Sequence, residues 1–410
     1  MDIRITPKKL SGTVTPPPSK SMAHRLIIAA ALASGTSIIR NVAFSQDIEA
    51  TLRCMEALGA RWERLAPDAV RVAGVGQTSP KSFSQFPHFD CGESGSTLRF
   101  LIPIALAVAG GGVFTGHGRL MERPQKPYFD LFEEKGIAYS LESGVLIVEG
   151  RLTPGEFRLP GNVSSQFFTG LLYSLPLLDG PSTIVPTTNI ESWDYILMTM
   201  DTLIGAGISV AEPREGRDFF HITPSAYMPF DRAVETDWSQ AGFWYTAKSL
   251  GNPVEVAGLN PTSSQGDRIV AAHSLRLSRP GDVEIDVSDC PDLLPPLAVM
   301  ASIRQGTTRF VNAARLRMKE SDRLTTTTNL LNALGGTAEE GADSLTVRGI
   351  SWFTGGTVDG ANDHRIVMAA AIAATACQKP VTILGAEAVR KSYPNFWEDY
   401  TQLGGDIHVL

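Results

Sequence analysis

The sequence predicts an α/β protein of two domains, each built from three β-α-β-α-β-β units. Three observations predict it. First, 410 residues exceed what one hydrophobic core usually holds. Second, a β-branched strand, a turn, an amphipathic helix ending in Leu-Gly or Gly-Gly and another strand recur six times. Third, the copies return about every seventy residues. That is longer than the roughly 20–50 residues of a solenoid repeat and long enough for a complete unit.

The elements follow in order. Met1–Thr15 opens as a strand, and copies then start near Gly35, Gly112, Gly180, Gly251, Gly306 and Pro380. The fourth is short: its helix RIVAAHSL runs quickly into the loop SRPGDVEID, and the next element begins at Pro291. The chain is expected to cross back near Val234–Asp237, just before WSQAGFWYTAKSL. One domain is therefore placed at residues 19–235 and the other, discontinuous, at 1–18 plus 236–410, with the active site expected in the cleft between them. Two crossings make a two-stranded hinge, for which closure over a ligand is the natural motion.

Composition narrows the function. Hydrophobic content of 43% and charged content of 19% are those of an ordinary globular chain. A net charge of −7 argues against a general nucleic-acid binder, so any anion site must be a local concentration of Lys and Arg. MDIRITPKKL lacks the apolar core of a secretory signal. The apolar runs Leu101–Val113 and Ile366–Cys377 are too short to span a bilayer and read as buried helices. Cys54, Cys91, Cys290 and Cys377 lie far apart, which suits reduced thiols with no zinc site and no disulfide framework. These features lead to the expectation of a cytoplasmic monomer that engages neither membrane nor nucleic acid.

Polar groups cluster in the strand-to-helix turns. Pro17-Pro18-Ser19-Lys20-Ser21 with Arg25 leads into an apolar helix whose first amides suit a phosphate or carboxylate. Cys91-Gly92-Glu93-Ser94-Gly95-Ser96-Thr97 is a Gly-turn entering a helix, but it is neither a Walker A loop nor GxGxxG. Arg119 and Arg123 flank Glu122. Asn162, Ser164, Ser165 and Gln166 precede another apolar helix, and Ser192 with Tyr195 and Gln265 with Asp267 fill later turns. Arg315 to Arg323 holds six charges in nine residues, with Lys319 and Arg323 expected one turn apart on one helix face. Asn362-Asp363-His364-Arg365 opens a strongly apolar helix, Arg390-Lys391 follows, and Asp292 lies before LLPPLAVMAS. Singly, each is also what an ordinary capped helix, tight turn or solvated ion pair looks like. Together, Lys20, Arg123, Lys319, Arg323, Arg365 and Lys391 exceed what one phosphate needs. They suit two anionic substrates bearing phosphate and carboxylate groups, gripped bidentately where the cation is Arg.

PSKSMAHR, GESGSTLR, RLMERP, NVSSQF, ESWDY, Pro291-Asp292, MKESDRL, NDHR and RKSYP occur in this order along the whole chain. In these motifs the sequence resembles the 5-enolpyruvylshikimate-3-phosphate (EPSP) synthases. The resemblance implies the two-domain inside-out α/β barrel of the enolpyruvyl transferases. It also implies attack of the 5-hydroxyl of shikimate 3-phosphate on C2 of phosphoenolpyruvate, protonation at C3, a tetrahedral ketal, and loss of phosphate, without metal or organic cofactor. Carried over by position, Lys20, Ser21, Arg25, Ser164, Ser165, Gln166, Ser192, Tyr195, Asp292 and Lys319 are the expected shikimate 3-phosphate contacts. Lys20, Gly95, Arg123, Gln166, Arg323, Arg365 and Lys391 are the expected phosphoenolpyruvate contacts. Asp292 is expected to accept the hydroxyl proton and Glu320 to give and retake the C3 proton. Lys20 is counted with them as catalytic, and either Lys20 or Lys391 assists phosphate departure.

Departures from the family pattern are few. Glu93 stands where the family commonly has Asn, Arg315 where it often has Asn, and Pro18 where it usually has Gly. Asn312 is an alternative to Arg315 beside the shikimate ligand. Gly95 is kept, so the pocket is expected to admit glyphosate, with Glu93 setting the degree of sensitivity. Two other readings share the fold: the enolpyruvyl transferase acting on UDP-N-acetylglucosamine, and a non-catalytic anion-binding protein. The first usually carries a reactive Cys on a mobile loop, and Arg119–Arg123 contains none. The second has no need of Asp292 and Glu320 together.

Overall fold

The computed structural model describes residues 1–76, 85–211 and 219–410. The expectations placed on the other positions lie outside the described residues. The chain divides into two compact units, Lys20–Val234 and Met1–Ser19 with Glu235–Leu410.

In the first unit the repeat is plain. His88–Asp90, the helix Gly95–Ala109, Gly111–Thr115, the helix Lys126–Lys135, Ala138–Glu142 and Val145–Glu149 form one β-α-β-α-β-β unit. Its first two strands pair parallel, as a helical crossover requires, and its last two form an antiparallel hairpin. Glu156–Leu159 through Phe220–Ile222 repeats the pattern. The remaining sheet is completed across the sequence: Asp231–Ala233, the last strand of this unit, pairs parallel with Thr36–Arg40 near its start.

The second unit uses the same device. Val283–Asp286 through Ser344–Arg348 is a full repeat. In the next sheet the N-terminal strand Ile3–Thr6 fits between Val381–Leu384 and Asp406–Val409. The short fourth copy contributes Val254–Val256, which pairs parallel with the N-terminal strand Gly12–Val14 in a two-stranded sheet among the described residues.

The most apolar helices occupy the centre of each unit and the sheets lie outside them. Every residue of Leu294–Ser302 and of His364–Ala374 is buried, as is Lys20–Leu32 from Met22 onward. Strands such as Ile3–Thr6 and Glu156–Leu159 instead alternate buried and exposed. A helix apolar on all sides must be covered on all sides, and the Ala-rich stretches Ala29–Ala31 and Ala369–Ala371 let neighbours approach closely. The run Leu101–Val113 is not one helix, as the sequence had suggested. It leaves helix at Ala109, turns at Gly110 in the left-handed region (φ 72°) and continues as the strand Gly111–Thr115. Among the described residues no helix is long and apolar enough to cross a membrane.

Candidate active site

In the unit Lys20–Val234, three helix starts are tied by a buried chain of hydroxyls. His24 Nδ1 meets Thr51 Oγ1 at 2.7 Å, Thr51 meets Thr97 at 2.6 Å, and Thr97 donates to Ser94 Oγ at 2.7 Å. This chain aligns the starts of Lys20–Leu32, Gln46–Ala57 and Gly95–Ala109. Burial, then Lys20 and Arg25, lower the pKa of His24 well below its usual value, so it serves as a neutral link. Lys20 Nζ donates to Asp47 Oδ2 at 2.6 Å, with both side chains largely buried. The sequence reading missed Asp47; its only signal was an acid in the first turn of an amphipathic helix.

Arg25 is buried against the Phe100 and Tyr195 rings, and among the described residues its hydrogen-bond partners are all neutral oxygens. Nε donates to Thr199 Oγ1 at 2.9 Å, Nη1 to the Ser21 carbonyl at 2.8 Å and Nη2 to the Tyr195 carbonyl at 2.9 Å. Burial lowers its pKa. A buried cation on neutral partners is costly unless an anion comes to it, which makes the helix starts carrying Ser21 and Tyr195 a candidate anion site. Ser192, buried, precedes the Tyr195 helix in the left-handed region at φ 57°.

Gly95 and Arg123 are in contact. A Cβ built on Gly95 would lie 2.5 Å from Arg123 Nη1 and 2.9 Å from its Cζ, so the missing side chain is what admits the guanidinium. Ser164 caps the helix Ser165–Ser174 by accepting from the Gln166 N–H. Gln166 is held at both ends, by Arg99 Nη1 on Oε1 at 2.9 Å and by Ser96 Oγ accepting from Nε2 at 3.0 Å. Glu93 packs its carboxylate against Gly118 in the loop that leads to Arg123, where a Cβ would meet Oε2 at 2.5 Å.

The second unit gathers its charges around Asp292. Arg323 Nη1 donates to Oδ1 at 2.8 Å, Arg365 Nη2 to Oδ2 at 2.9 Å, and Lys319 Nζ lies 3.4 Å from Oδ1. Burial alone would raise the Asp292 pKa, but Arg365, Lys319 and Arg323 hold it well below the usual carboxylate range. Glu320 Oε2 accepts from Arg323 Nη2 at 2.7 Å. Lys319 and Arg323 do not share one helix face, contrary to the sequence expectation. The 3-10 helix Ala314–Met318 ends at Lys319 in extended backbone, and Arg323 begins a new helix capped by Asp322. The break turns both cations onto the same carboxylate.

Asp363 was also missed as a site-builder. It is fully buried, caps the helix His364–Ala374 through the Arg365 N–H, and accepts from Arg323 Nε at 2.8 Å and Ser321 Oγ at 2.9 Å. Lys391 Nζ donates to the Asn362 carbonyl at 2.6 Å, on the loop just before that cap. Asp267 is buried beside this group. Burial first, then Asp292, raise its pKa to about 7, with Arg365 opposing. Asn312 donates to Asp286 Oδ2 at 2.7 Å and Arg315 to the Ser288 carbonyl. Among the described residues no cluster of three or more His, Cys, Asp or Glu is placed to hold a metal ion.

The sequence model of the EPSP synthase (3-phosphoshikimate 1-carboxyvinyltransferase) family matches residues 5–400. The chain belongs to the EPSP synthase family. Family members named 3-phosphoshikimate 1-carboxyvinyltransferase from Clostridium kluyveri and Clostridium acetobutylicum are each 44% identical over 423 residues, covering 99% of this chain and 98% of theirs. One from Clostridioides difficile is 41% identical over 429 residues, with the same coverage. A solved EPSP synthase from Acinetobacter baumannii matches over 100% of both chains with a TM-score of 0.78 at 23% identity, which establishes the shared fold. As an EPSP synthase family member the chain is a transferase.

Proposed function

We propose that the two sets of charged groups serve one reaction, transfer of the enolpyruvyl group of phosphoenolpyruvate to the 5-hydroxyl of shikimate 3-phosphate. The observation that carries this reading is the convergence of Lys319, Arg323 and Arg365 on Asp292, with Glu320 on the other side of Arg323. Asp292 and Glu320 order the cations around them, but a site that only bound anions would not need both to be able to exchange protons as well. Addition–elimination needs both a base and an acid there.

In this reading Asp292 takes the proton of the 5-hydroxyl as its oxygen bonds to C2, while Glu320 protonates C3. The tetrahedral ketal then collapses: Glu320 retakes the C3 proton and the C2–O bond to phosphate breaks. Lys20 or Lys391 stabilises the departing phosphate. Arg123, Arg323, Arg365 and Gly95 receive phosphoenolpyruvate. Ser21, Arg25, Ser164, Ser165, Ser192, Tyr195 and Lys319 receive shikimate 3-phosphate, and Gln166 and Lys20 reach both ligands. With Arg323 and Arg365 bonded to it, Asp292 is a weak base. A substrate carboxylate that takes over those guanidinium bonds restores its basicity, so the base forms only when the second substrate is in place.

Phosphate release from phosphoenolpyruvate tests the reading, with shikimate 3-phosphate or UDP-N-acetylglucosamine as acceptor. Turnover is expected only with the shikimate ester, and its absence there sinks the proposal. All four cysteines are buried, which weighs against the UDP-sugar enzyme's reactive loop thiol.

A further inference from the structure

We propose that Arg99 is a positioning residue that locks the side-chain amide of Gln166, so that its NH2 rather than its carbonyl is offered to the anionic three-carbon substrate. This rests on the assignment of Gln166 to that substrate.

The orientation follows from elementary chemistry. The two ends of a glutamine amide are nearly isosteric, so its orientation is read from its partners. A guanidinium has donors only. The Gln166 atom lying 2.9 Å from Arg99 Nη1 must therefore be oxygen. Nε2 is then at the far end, and one of its hydrogens goes to Ser96 Oγ at 3.0 Å. The other has no protein partner among the described residues. Ser96 directly follows Gly95, so that remaining N–H stands beside the helix start assigned to phosphoenolpyruvate. The cation behind the carbonyl polarises the amide and makes the N–H a stronger donor.

Arg99 is well built for holding rather than for binding. It is 4% exposed. Its Nη2 donates to the Pro124 carbonyl at 2.9 Å, immediately after Arg123, and its guanidinium covers the Phe167 ring at 4.8 Å, immediately after Gln166. One side chain thus ties three segments that each supply an expected substrate contact. The supporting helices are tied to each other. Tyr128 Oη sits 2.8 Å from the Arg99 carbonyl and 3.1 Å from the Phe167 carbonyl. Gly170 allows Gly95–Ala109 and Ser165–Ser174 to approach so closely that a Cβ there would lie 2.6 Å from the Arg99 carbonyl. A lysine could supply charge at position 99 but not the fork that reaches Gln166 and Pro124 together.

The test uses the full chain and the variants Arg99→Gln, Arg99→Lys and Gln166→Ala. Arg99→Gln lets the amide turn over, and KM for phosphoenolpyruvate is expected to rise about tenfold, with kcat within about threefold, the loss of one hydrogen bond to a charged ligand. Arg99→Lys should recover part of that loss. Adding Arg99→Gln to Gln166→Ala should cost less than about twofold more, because the two residues act as one unit. A second readout needs no turnover: the side-chain 15N–1H pair of Gln166, assigned by its loss in Gln166→Ala, should exchange slowly with water and lose that protection in Arg99→Gln. An unchanged KM, an additive double variant or an amide signal indifferent to Arg99 would overturn the proposal. If the unaltered chain does not turn over the substrate pair, the functional reading fails instead, and the amide signal alone decides this one.

Discussion

Arg323, 1% exposed, is held by three carboxylates, Asp292, Glu320 and Asp363. Burial would raise the Asp363 pKa, but Arg323 holds it below the usual range, as the surrounding cations do for Asp292. A depressed carboxyl stabilises the fold fully above its unfolded pKa of about 4, and that stability is lost as pH falls toward the folded value. The urea midpoint should therefore fall steeply below about pH 4, and Asp363→Asn should flatten that fall while lowering the midpoint at pH 7. An unchanged acid slope in the variant would mean that Asp363 does not hold Arg323 as described. Gly95 makes the opposite kind of prediction, in which adding one methyl does the damage. A Cβ 2.5 Å from Arg123 Nη1 forces the guanidinium aside. Gly95→Ala should raise KM for phosphoenolpyruvate by about tenfold or more, the scale of overpacking a close contact, and weaken glyphosate inhibition with it. Steady-state kinetics with normal KM would separate Gly95 from Arg123.

At the scale of elements, the period that the sequence displayed is the period of the fold, because strand alternation and helix amphipathicity are local properties of side-chain order. What the sequence could not display is closure. Asp231–Ala233 pairs with Thr36–Arg40, and Ile3–Thr6 fills a place between Val381–Leu384 and Asp406–Val409. Nothing in four residues of strand names a partner nearly four hundred positions away. The charged motifs were legible because Lys and Arg gather at helix starts, where a fold has no need of them. Asp47 was not, since it looks like an ordinary first-turn acid, and Arg99 and Asp363 stood within the motifs without a role, one being inside an apolar helix and the other looking like a simple capping acid. The break at Lys319 was also hidden, because RLRMKESDRL has the composition of a continuous helix. Gly170 carries the consequence for packing. Gly170→Ala would push into the Tyr128 hydroxyl and the Arg99 carbonyl. We expect it to destabilise its unit by about 1–3 kcal/mol, read from the urea midpoint, and to raise KM for phosphoenolpyruvate through Arg99. A variant as stable as the parent would show that the helix pair can separate without cost.

At the scale of the whole molecule, the described residues form two hydrophobic cores, one drawn from residues between 22 and 234 and the other from residues 3–14 and 238–403. Each is large enough to fold cooperatively, and the sheets close within each unit, so the unit rather than the chain is the natural cooperative block. Damage should then stay where it is made. In calorimetry, Gly170→Ala should lower one transition and leave the other in place, whereas Asp363→Ala should do the reverse. For blocks of about 200 residues a loss of 1 kcal/mol corresponds to about 2–4 °C, which is resolvable. Tryptophan fluorescence assigns the transitions, since Trp62 and Trp193 lie in one unit and Trp238, Trp244, Trp352 and Trp397 in the other. A single transition that both variants move equally would show that the two cores unfold as one. It would also mean that a substitution behind one set of cations is felt by the other even without substrate.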